Sequence, residues 1–467
     1  MIGITAFAAA IPAYRVARDT IAAAWESRSL GGRLAAHRFD EDSLTLAASA
    51  AADCLSTLPG KTAGGLYFAS TTAPFLERLN AGLIAAFLDL PAGARTADFA
   101  NSLRAGLFAL GAATDAVAAG RSENILVAAA DTRNAPAGGD EEQFYGDAAA
   151  AIAIGSANVL VEIVSRGGVS DDFLETVRRD RDDYVTSFAS KFTSERGYAH
   201  GMAAAIRKNL QQAKLEPAQI SRLVLSSPDK GAHLALAKKL GFQPAQVQDT
   251  AWDQLGVTGT AMPLLLLAAA LENAEPGEYI LVAAHGDGAG AMILRATDAL
   301  AGYRPRAAFA QQLASAIEFR SYTKWRKSRD YLREQDDTLE VSNIWYAKEE
   351  TQNVRLRGVE CGHCGTRQLQ HQLLCPKCRK TDAIKEVALA RTGSVFTYAV
   401  DQLFPSPFPP TAMAVVDLDG GGRIYCEVVD CDPDKVQIGL PVELTIRRLK
   451  EGGGLHHYYW KCRPKRS

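Results

Sequence analysis

The chain has 467 residues, 47% of them hydrophobic and 22% charged, with 51 Lys and Arg against 53 Asp and Glu. At roughly 100–200 residues per domain, this length predicts two to four domains. The net charge of −2 excludes a strongly basic nucleic-acid binder and an acidic disordered tail, and the longest apolar stretch, Thr260 to Leu271, is too short to cross a bilayer. We therefore expect neither nucleic acid nor a membrane as a partner.

The first part of the chain, up to about Leu300, has the pattern of layered α/β structure. Met1 to Tyr14 is mildly apolar but lacks the basic start and cleavage site of a signal peptide, so we interpret it as the first strand. Further on, short runs that are apolar on both faces alternate with Ala- and Leu-rich helical patterns, as strands buried between helix layers require. These runs are Gly65 to Ala69, Asn124 to Ala128, Arg222 to Ser226 and Tyr279 to Ala283.

The same part of the chain contains a weak internal repeat. In each half, a strand is followed by a Gly-containing apolar helix, a second strand and a Gly/Ala-rich strand. The helices are predicted from Leu103 to Ala118 and from Gly259 to Leu271, and the Gly/Ala-rich strands begin at Gly146 and Gly286. Two facing copies of this unit would bury both helices at the centre. Self-similarity of any Ala-rich α/β chain is the simpler alternative.

The composition changes after Leu300. Ala308 to Gln335 carries Tyr322, Trp325 and Tyr331 at helical spacing among Lys and Arg, which predicts an aromatic, basic helix. Asp336 to Arg357 is polar and strand-like. From Gly393 to Cys462, short alternating strands are separated by Gly-rich turns, a pattern typical of a small β-barrel.

Cysteines are concentrated near the C-terminus: Cys54 is alone in the first 300 residues, and seven others follow position 360. This distribution excludes the disulfide framework of a secreted protein, so we expect a reducing compartment, the cytoplasm. The motifs Cys361-Gly-His-Cys364 and Cys375-Pro-Lys-Cys378 are two turns that each aim two thiolates at one ion. Thiolates favour zinc, and four protein ligands leave no open position, so the motifs predict a structural zinc site. An iron centre of the rubredoxin type has the same ligands, and the spacing does not distinguish the two metals.

These features together resemble two known families. The first 300 residues or so resemble the hydroxymethylglutaryl-CoA synthase branch of the thiolase superfamily, and the remainder resembles the zinc-ribbon/OB-fold acyl-CoA-binding family that accompanies such enzymes. The matching N-terminal segments are Ala69 to Thr72, Asp98 to Gly106, Gly146 to Ala149, Gly256 to Ala261 and Gly286 to Gly288. In the C-terminal part they are the four cysteines, Phe404-Pro405, Val416 to Gly422 and Ile438-Gly439.

The resemblance implies an α/β, thiolase-like fold of two pseudo-repeats, followed by a rubredoxin-like zinc ribbon and a small OB-type β-barrel. We place the thiolase-like halves at residues 1–165 and 166–300, a helical linker at 301–357, the zinc ribbon at 358–385 and the OB-fold at 386–467. The resemblance also implies a coenzyme A thioester as substrate and a homodimer.

The reactive positions of the synthases are not retained. The resemblance puts Leu103 where those enzymes have their Cys nucleophile, at the start of the central helix. It puts Ser226 at the position of their His, Val257 at that of their Asn, and the pair Thr71/Thr72 at that of their acid/base Glu. Without a thiol there is no acyl-cysteine, so Claisen condensation by the usual route is not expected. Ser102 is adjacent, but we interpret it as a helix N-cap rather than a nucleophile.

Other residues are candidates for acid–base chemistry. His285 ends a strand beside a Gly-rich turn, where α/β sheets carry their chemistry, and we pair it with Asp287; a histidine that only hydrogen-bonds to the turn is the alternative. Tyr198 is a candidate proton donor to a carbonyl, whereas His200 and His233 are predicted to be surface or core-edge residues.

Coenzyme A would meet two glycine-rich loops and a basic helix. Gly259 and Gly288 lie in the loops that line the acyl-CoA pocket of the related synthases. Lys324 and Arg326 are cations suited to its phosphates, although a solvated helix face explains them equally well.

We weigh two functions against each other; a third, an ordinary acyltransferase, would need a cysteine near position 102, where the sequence has none. The first is carbon–carbon bond formation or cleavage on acyl-CoA by aldol or retro-aldol chemistry, which needs a base and an oxyanion site but no nucleophile. The second is a catalytically silent scaffold that binds acyl-CoA and partners a separate thiolase.

Overall fold

The computed structural model describes residues 1–188, 190–330, 342–404 and 406–466. The chain divides into two compact units. Unit 1 comprises Met1–His37, Asp42–Ala85 and Leu90–Tyr322, and unit 2 comprises Arg38–Glu41, Ala86–Asp89 and Thr323–Ser467. No helix of the described residues is long and apolar enough to span a bilayer.

The strands up to residue 322 are β1 (Gly3–Ala10), β2 (Tyr14–Ala17), β3 (Arg33–Ala36), β4 (Gly65–Ala69), β5 (Arg95–Phe99), β6 (Asn124–Asp131), β7 (Ala148–Gly155), β8 (Val161–Ser170), β9 (Thr176–Val177), β10 (Thr186–Ser187), β11 (Arg222–Leu225), β12 (Tyr279–His285), β13 (Gly288–Ala296) and β14 (Ile317–Phe319). The α-helices are α1 (Arg18–Ala24), α2 (Ser43–Ser56), α3 (Asn80–Phe87), α4 (Ala105–Ala118), α5 (Ser190–Phe192), α6 (His200–Ala213), α7 (Ala232–Lys239), α8 (Trp252–Leu255), α9 (Met262–Leu271), α10 (Phe309–Ala314), α11 (Tyr322–Asp330) and α12 (Asn343–Glu349).

The predicted repeat is visible in the central sheet of unit 1. Its nine strands follow the order β11-β12-β13-β8-β1-β7-β6-β4-β5. β4 pairs with β6 in parallel and β6 with β7 antiparallel, and β11, β12 and β13 repeat that pattern on the other side of the sheet. The four predicted buried runs and the first strand are therefore confirmed, and so is the pseudo-two-fold arrangement.

The two apolar helices pack at the centre of unit 1, as the repeat predicts. Every residue of α9 is buried, and α4 lies close enough that a Cβ on Gly106 would stand 3.1 Å from the carbonyl oxygen of Thr260. Backbones approach this closely only where a side chain is absent, which accounts for the glycine in α4.

The segment after Leu300 departs from the prediction. The single helix expected from Ala308 to Gln335 is interrupted by β14, which pairs in parallel with β2; Tyr331 lies outside the described residues. The strand-like assignment of Asp336 to Arg357 was wrong for residues 343–354, which are helical. The hydroxyl of Ser342 accepts the backbone N–H of Trp345 and so caps α12, a local signal that outweighs the polar, strand-like composition.

Unit 2 contains a three-stranded ribbon and a closed barrel. The ribbon strands are β15 (Arg357–Cys361), β16 (Arg367–Gln368) and β17 (Ile384–Ala388). The barrel strands are β18 (Thr392–Asp401), β19 (Thr411–Leu418), β20 (Arg423–Val428), β21 (Pro441–Gly452) and β22 (Leu455–Pro464). The barrel closes in the order β18-β19-β20-β22-β21, as in five-stranded OB folds, and confirms the predicted barrel.

Buried charges join the segment Arg38–Glu41 to the barrel within unit 2. The fully buried carboxylate of Asp40 lies 2.6 Å from Lys461 Nζ and 3.3 Å from Arg38 Nη1. Lys461 and Arg38 also bind Glu427. Burial by itself would raise the pKa of Asp40, but the surrounding cations hold it below its usual range. Each of these side chains can therefore remain charged while buried only because oppositely charged groups lie next to it.

Removing one member of this cluster should destabilise the barrel. Asp40→Asn leaves Lys461 and Arg38 buried with less compensation, and we expect a loss of about 3–5 kcal/mol in the free energy of opening. Hydrogen exchange of the β21 and β22 amides measures this locally, without assuming that the two units unfold together. The matched control is Asp417→Asn, whose pair with Arg423 is exposed and should contribute about 1 kcal/mol or less. Equal loss of protection in both variants would contradict the prediction.

Candidate functional site

The loops that follow four strands meet where the two halves of unit 1 face each other. β4 and β6 end beside one another, and so do β11 and β12. The backbone N–H of Thr260, just before α9, donates to Asp131 at the end of β6. The hydroxyl of Ser102, just before α4, donates to the carbonyl of Gly286 after β12. Each half thus contributes a helix start to the strand ends of the other.

Asp131 organises one side of this site. Its buried carboxylate accepts six hydrogen bonds, all from neutral donors: the hydroxyls of Ser70, Thr71 and Thr72, the backbone N–H groups of Thr71 and Thr72, and the backbone N–H of Thr260. The Thr71/Thr72 pair, which the resemblance predicts at the position of the synthases' acid/base Glu, is therefore hydrogen-bonded to a carboxylate. No residue spacing predicts this arrangement.

The start of α4 contains the position of the expected nucleophile. Leu103 is half-buried in the turn before the helix, and the helix begins at Ala105. The interpretation of Ser102 as the N-cap was wrong, because the N-cap is Arg104 and no side chain caps the helix. Ser102 lies two residues too early and uses its hydroxyl to donate to Gly286 instead.

His285 lies beside a carboxylate that the sequence did not identify. Its Nε2 is 3.2 Å from Oε2 of Glu175, which precedes β9. Burial, followed by the charge of Arg104, lowers the pKa of His285 to about 4. Burial, followed by the charge of Asp287, raises the pKa of Glu175 to about 7. Both side chains are thus uncharged just below neutral pH. Glu175 lies in a strongly charged segment without periodicity, so no pattern distinguished it.

The pairing that the sequence suggested for His285 differs from the one observed. Asp287 is exposed, with a left-handed backbone at φ 47°, and among the described residues the His285 ring pairs with Glu175 instead. Tyr198 packs edge-on against His285 at 5.5 Å and donates its hydroxyl to the carbonyl of Ser226, and burial raises its pKa. The catalytic roles of Asp287 and Tyr198 stay predictions.

The remaining family positions surround these residues. The hydroxyl of Ser226, the residue predicted at the position of the synthases' histidine, accepts the backbone N–H of His285 at 3.1 Å. Val257 is buried, and its backbone bonds to the strand-like segment Phe144–Gly146. His200 is exposed at the start of α6, and His233 is buried in α7.

The predicted coenzyme A residues fall in both units. Gly259 has φ 58°, and a Cβ there would stand 2.3 Å from the Asp131 carboxylate, so the turn before α9 requires glycine. Gly288 begins β13 at φ 99°. Lys324 and Arg326 lie on α11, in the part assigned to unit 2. Their binding roles stay predictions.

The four cysteines of the ribbon come together as predicted. Cys361, Cys364, Cys375 and Cys378 offer sulfur atoms that all lie within 4.8 Å of one another, with two Sγ–Sγ distances of 3.5 Å. A tetrahedral metal with bonds of about 2.3 Å separates its sulfurs by about 3.8 Å, so the cluster fits one ion. The hydroxyl of Thr366 lies 3.2 Å from Cys364 Sγ and helps lower the pKa of that thiol to about 6.

Comparison with known proteins identifies both parts of the chain. A DUF35 domain-containing scaffold protein of Methanocaldococcus jannaschii is 40% identical over 114 residues, which are 23% of this chain and 81% of that protein. The chain belongs to the DUF35 family. In agreement, residues 386–447 of the DUF35 part match the model of the ChsH2 C-terminal OB-fold domain.

Ahead of its DUF35 part, the chain carries a hydroxymethylglutaryl-CoA synthase-like domain of the thiolase type. A hydroxymethylglutaryl-CoA synthase of Methanopyrus kandleri is 27% identical over 344 residues, 71% of this chain and 98% of that protein. Residues 210–296 match the C-terminal model of 3-oxoacyl-[acyl-carrier-protein] synthase III. A solved hydroxymethylglutaryl-CoA synthase complexed with CoA has the same fold, with a TM-score of 0.63 at 14% identity over 73% of this chain and 92% of the other. The fusion expected from the sequence is confirmed.

The cysteine cluster of the DUF35 part predicts one bound metal ion per chain. Cys364→Ser removes one of four ligands, so we expect the purified variant to lose its metal, as measured by inductively coupled plasma mass spectrometry, which also identifies the element. Cys431→Ser, outside the cluster, is the matched control and should retain one equivalent. Full metal content in Cys364→Ser, or equal loss in both variants, would contradict the prediction.

Proposed function

We propose that this protein catalyses aldol or retro-aldol chemistry on a coenzyme A thioester, without a covalent acyl-enzyme intermediate. The observation that carries the proposal is a buried, uncharged histidine, His285, at a strand end beside the start of α4. The relation to hydroxymethylglutaryl-CoA synthase and the CoA complex of a protein with the same fold support acyl-CoA as the substrate class.

A covalent route lacks a nucleophile. Leu103 has no reactive group at the position of the synthases' cysteine. Cys54, in α2, is fully buried, and burial raises its pKa, so it does not offer a thiolate to substrate. Chemistry that needs no acyl-cysteine is therefore the better match to these residues.

In this proposal His285, on a strand next to β11, takes the place of the synthases' general base. β11 and β12 are parallel, so their carboxyl ends adjoin, and Ser226 and His285 occupy those ends. A histidine on β12 can therefore act close to where the synthases carry theirs on β11. A neutral imidazole is the form that accepts a proton, and the lowered pKa of His285 keeps it neutral at pH 7.

The retro-aldol direction illustrates the proposed roles. The base takes the β-hydroxyl proton of a 3-hydroxyacyl thioester, the Cα–Cβ bond breaks, and a carbonyl compound leaves. The electron pair of that bond forms the thioester enolate, which regains a proton at Cα. Backbone N–H groups at the start of α4, where the helix dipole is positive, would stabilise the enolate oxygen.

We assign zinc to the cysteine cluster of unit 2, in a structural role. Four thiolates favour zinc and close its coordination sphere, so the ion supplies stability to the ribbon rather than a reacting site.

A scaffold is the second candidate. The DUF35 relatives are named scaffold proteins, and the predicted replacement of the synthases' reactive residues at four positions also favours this candidate. In this case the chain binds acyl-CoA without turnover and partners a separate thiolase. Light scattering after size-exclusion chromatography, with a purified thiolase from the same organism, tests that association directly.

His285→Ala should abolish turnover by the proposed enzyme. We expect kcat/KM for a cleaved 3-hydroxyacyl-CoA to fall by about 10²- to 10⁴-fold, the usual contribution of a general base. Binding of the same thioester, measured by calorimetry, should be retained, and mass spectrometry should find no acylated protein at any time.

His200→Ala is the control, because His200 is exposed on a helix of the same unit, and its turnover should match the parent protein. An acylated residue would exclude the non-covalent route. Binding without turnover across a panel of acyl-CoAs would favour the scaffold, and turnover that survives in His285→Ala would remove His285 from the mechanism.

A further inference from the structure

The side chains of Glu175 and His285 face each other at close range. Nε2 of His285 lies 3.2 Å from Oε2 of Glu175, and their side chains are 9% and 20% exposed. The two residues come from separate elements, since His285 ends β12 and Glu175 precedes the short hairpin β9–β10. No sequence spacing brings them together.

The surroundings hold both side chains in place. Phe188 donates its backbone N–H to the carbonyl of Glu175 at 3.1 Å, and this bond closes the β9–β10 hairpin around it. A Cβ on Gly197 would stand 3.1 Å from Oε2 of Glu175, so a glycine leaves room for the carboxylate there. The ring of Tyr198 packs edge-on against the imidazole.

The contact is not an ordinary ion pair. An ion pair would need a charged imidazole and a charged carboxylate, both largely withdrawn from water. Instead, burial lowers the pKa of His285 to about 4 and raises that of Glu175 to about 7. Between these values both groups are uncharged, and their nearest nitrogen and oxygen atoms lie 3.2 Å apart. As the pH rises through about 7, the pair loses one proton.

Three other charges act on the pair itself, and two more groups act on one of those three. Arg104, at the start of α4, lowers the pKa of His285, and Asp171, after β8, raises it. Asp171 is paired with Arg196 and also feels His200, while Asp287, in the turn after β12, raises the pKa of Glu175.

We propose that Glu175 is a positioning residue that shares one proton with His285, so that the two together, rather than the histidine alone or with Asp287, are the acid–base unit of this site. The consequence for turnover rests on the proposed function. The unit that has lost its proton accepts the β-hydroxyl proton of the substrate and returns it to Cα of the enolate, so no proton is gained or lost overall.

The test begins with a readout that does not depend on activity. In the full-length protein labelled with ¹⁵N-histidine, the Nε2 resonance of His285, assigned by its absence in His285→Ala, should change with a midpoint near pH 7. Glu175→Gln keeps the size and hydrogen bonding of the side chain but cannot release a proton, so the midpoint near pH 7 should vanish. Glu195→Gln, an exposed glutamate on the neighbouring helical segment, should keep it. A midpoint that persists in Glu175→Gln overturns the proposal.

Turnover supplies the second readout. In the parent protein, kcat/KM should rise about tenfold per pH unit up to about pH 7 and then level off. Glu175→Gln should lose this rise, whereas a merely structural Glu175 would lower kcat/KM equally at every pH. If the resonance behaves as expected but the parent turns over no 3-hydroxyacyl-CoA, the shared proton stands and the proposed function fails.

Asp287→Asn provides a second test of the titrating group that does not require Glu175→Gln to fold. Removing the negative charge at Asp287 should stabilise the Glu175 carboxylate and move the midpoint to lower pH. An unchanged midpoint in Asp287→Asn would show that the titrating group is not Glu175.

Discussion

One buried carboxylate holds the two halves of the synthase-like domain in register at the site. Asp131 has no cation among the partners described for it, so its charge is satisfied by six neutral donors. Five of these donors belong to the loop after β4, and the sixth is the N–H of Thr260 from the second half. A buried carboxylate with fewer donors would be strongly unfavourable. The loop after β4, the end of β6 and the turn before α9 are therefore held in one fixed arrangement. The glycine at position 259 is a consequence of the same close contact.

The sequence predicted those features that repeat or that have a fixed spacing. Buried strands such as β4 and β12 are continuous apolar runs, the central helices α4 and α9 are rich in Ala, Gly and Leu, and two C-x2-C turns specify four converging ligands. Contacts between residues far apart in the chain leave no such pattern. Glu175, in the segment before β9, and His285, at the end of β12, are 110 positions apart, and Asp40 and Lys461 are separated by 421 positions. Residues 343–354 were missed for a different reason: a capping serine, rather than the composition, determines α12.

Buried ionisable groups in this protein have two opposite kinds of surroundings. In unit 2, Asp40 is surrounded by cations that keep it charged, so its proton is never available and its contribution is stability. Beside β12, Glu175 and His285 lack such compensation, and burial pushes both toward the uncharged form. A group whose pKa lies far from neutral stays in one protonation state at pH 7, whereas a group whose pKa lies near 7 readily gains and loses a proton. Burial alone therefore does not mark a reactive residue; the balance between burial and nearby charge does.

The contacts that hold the fold together at the site do not involve a reactive cysteine, so the proposed difference from the related synthases leaves the fold intact. The central helices are held by apolar contacts, such as those of Gly106 against α9, and the loops by Asp131, none of which requires a thiol at position 103. Leucine at that position is tolerated because the turn before α4 is only half-buried. Under the proposed function no thiol is acylated, so no histidine is needed beside one, and Ser226 instead accepts the backbone N–H of His285. The parallel strands β11 and β12 end side by side, so a general base on β12 can occupy nearly the same place as one on β11. The proposed change from covalent transfer to proton transfer therefore needs no change in the order of the sheet.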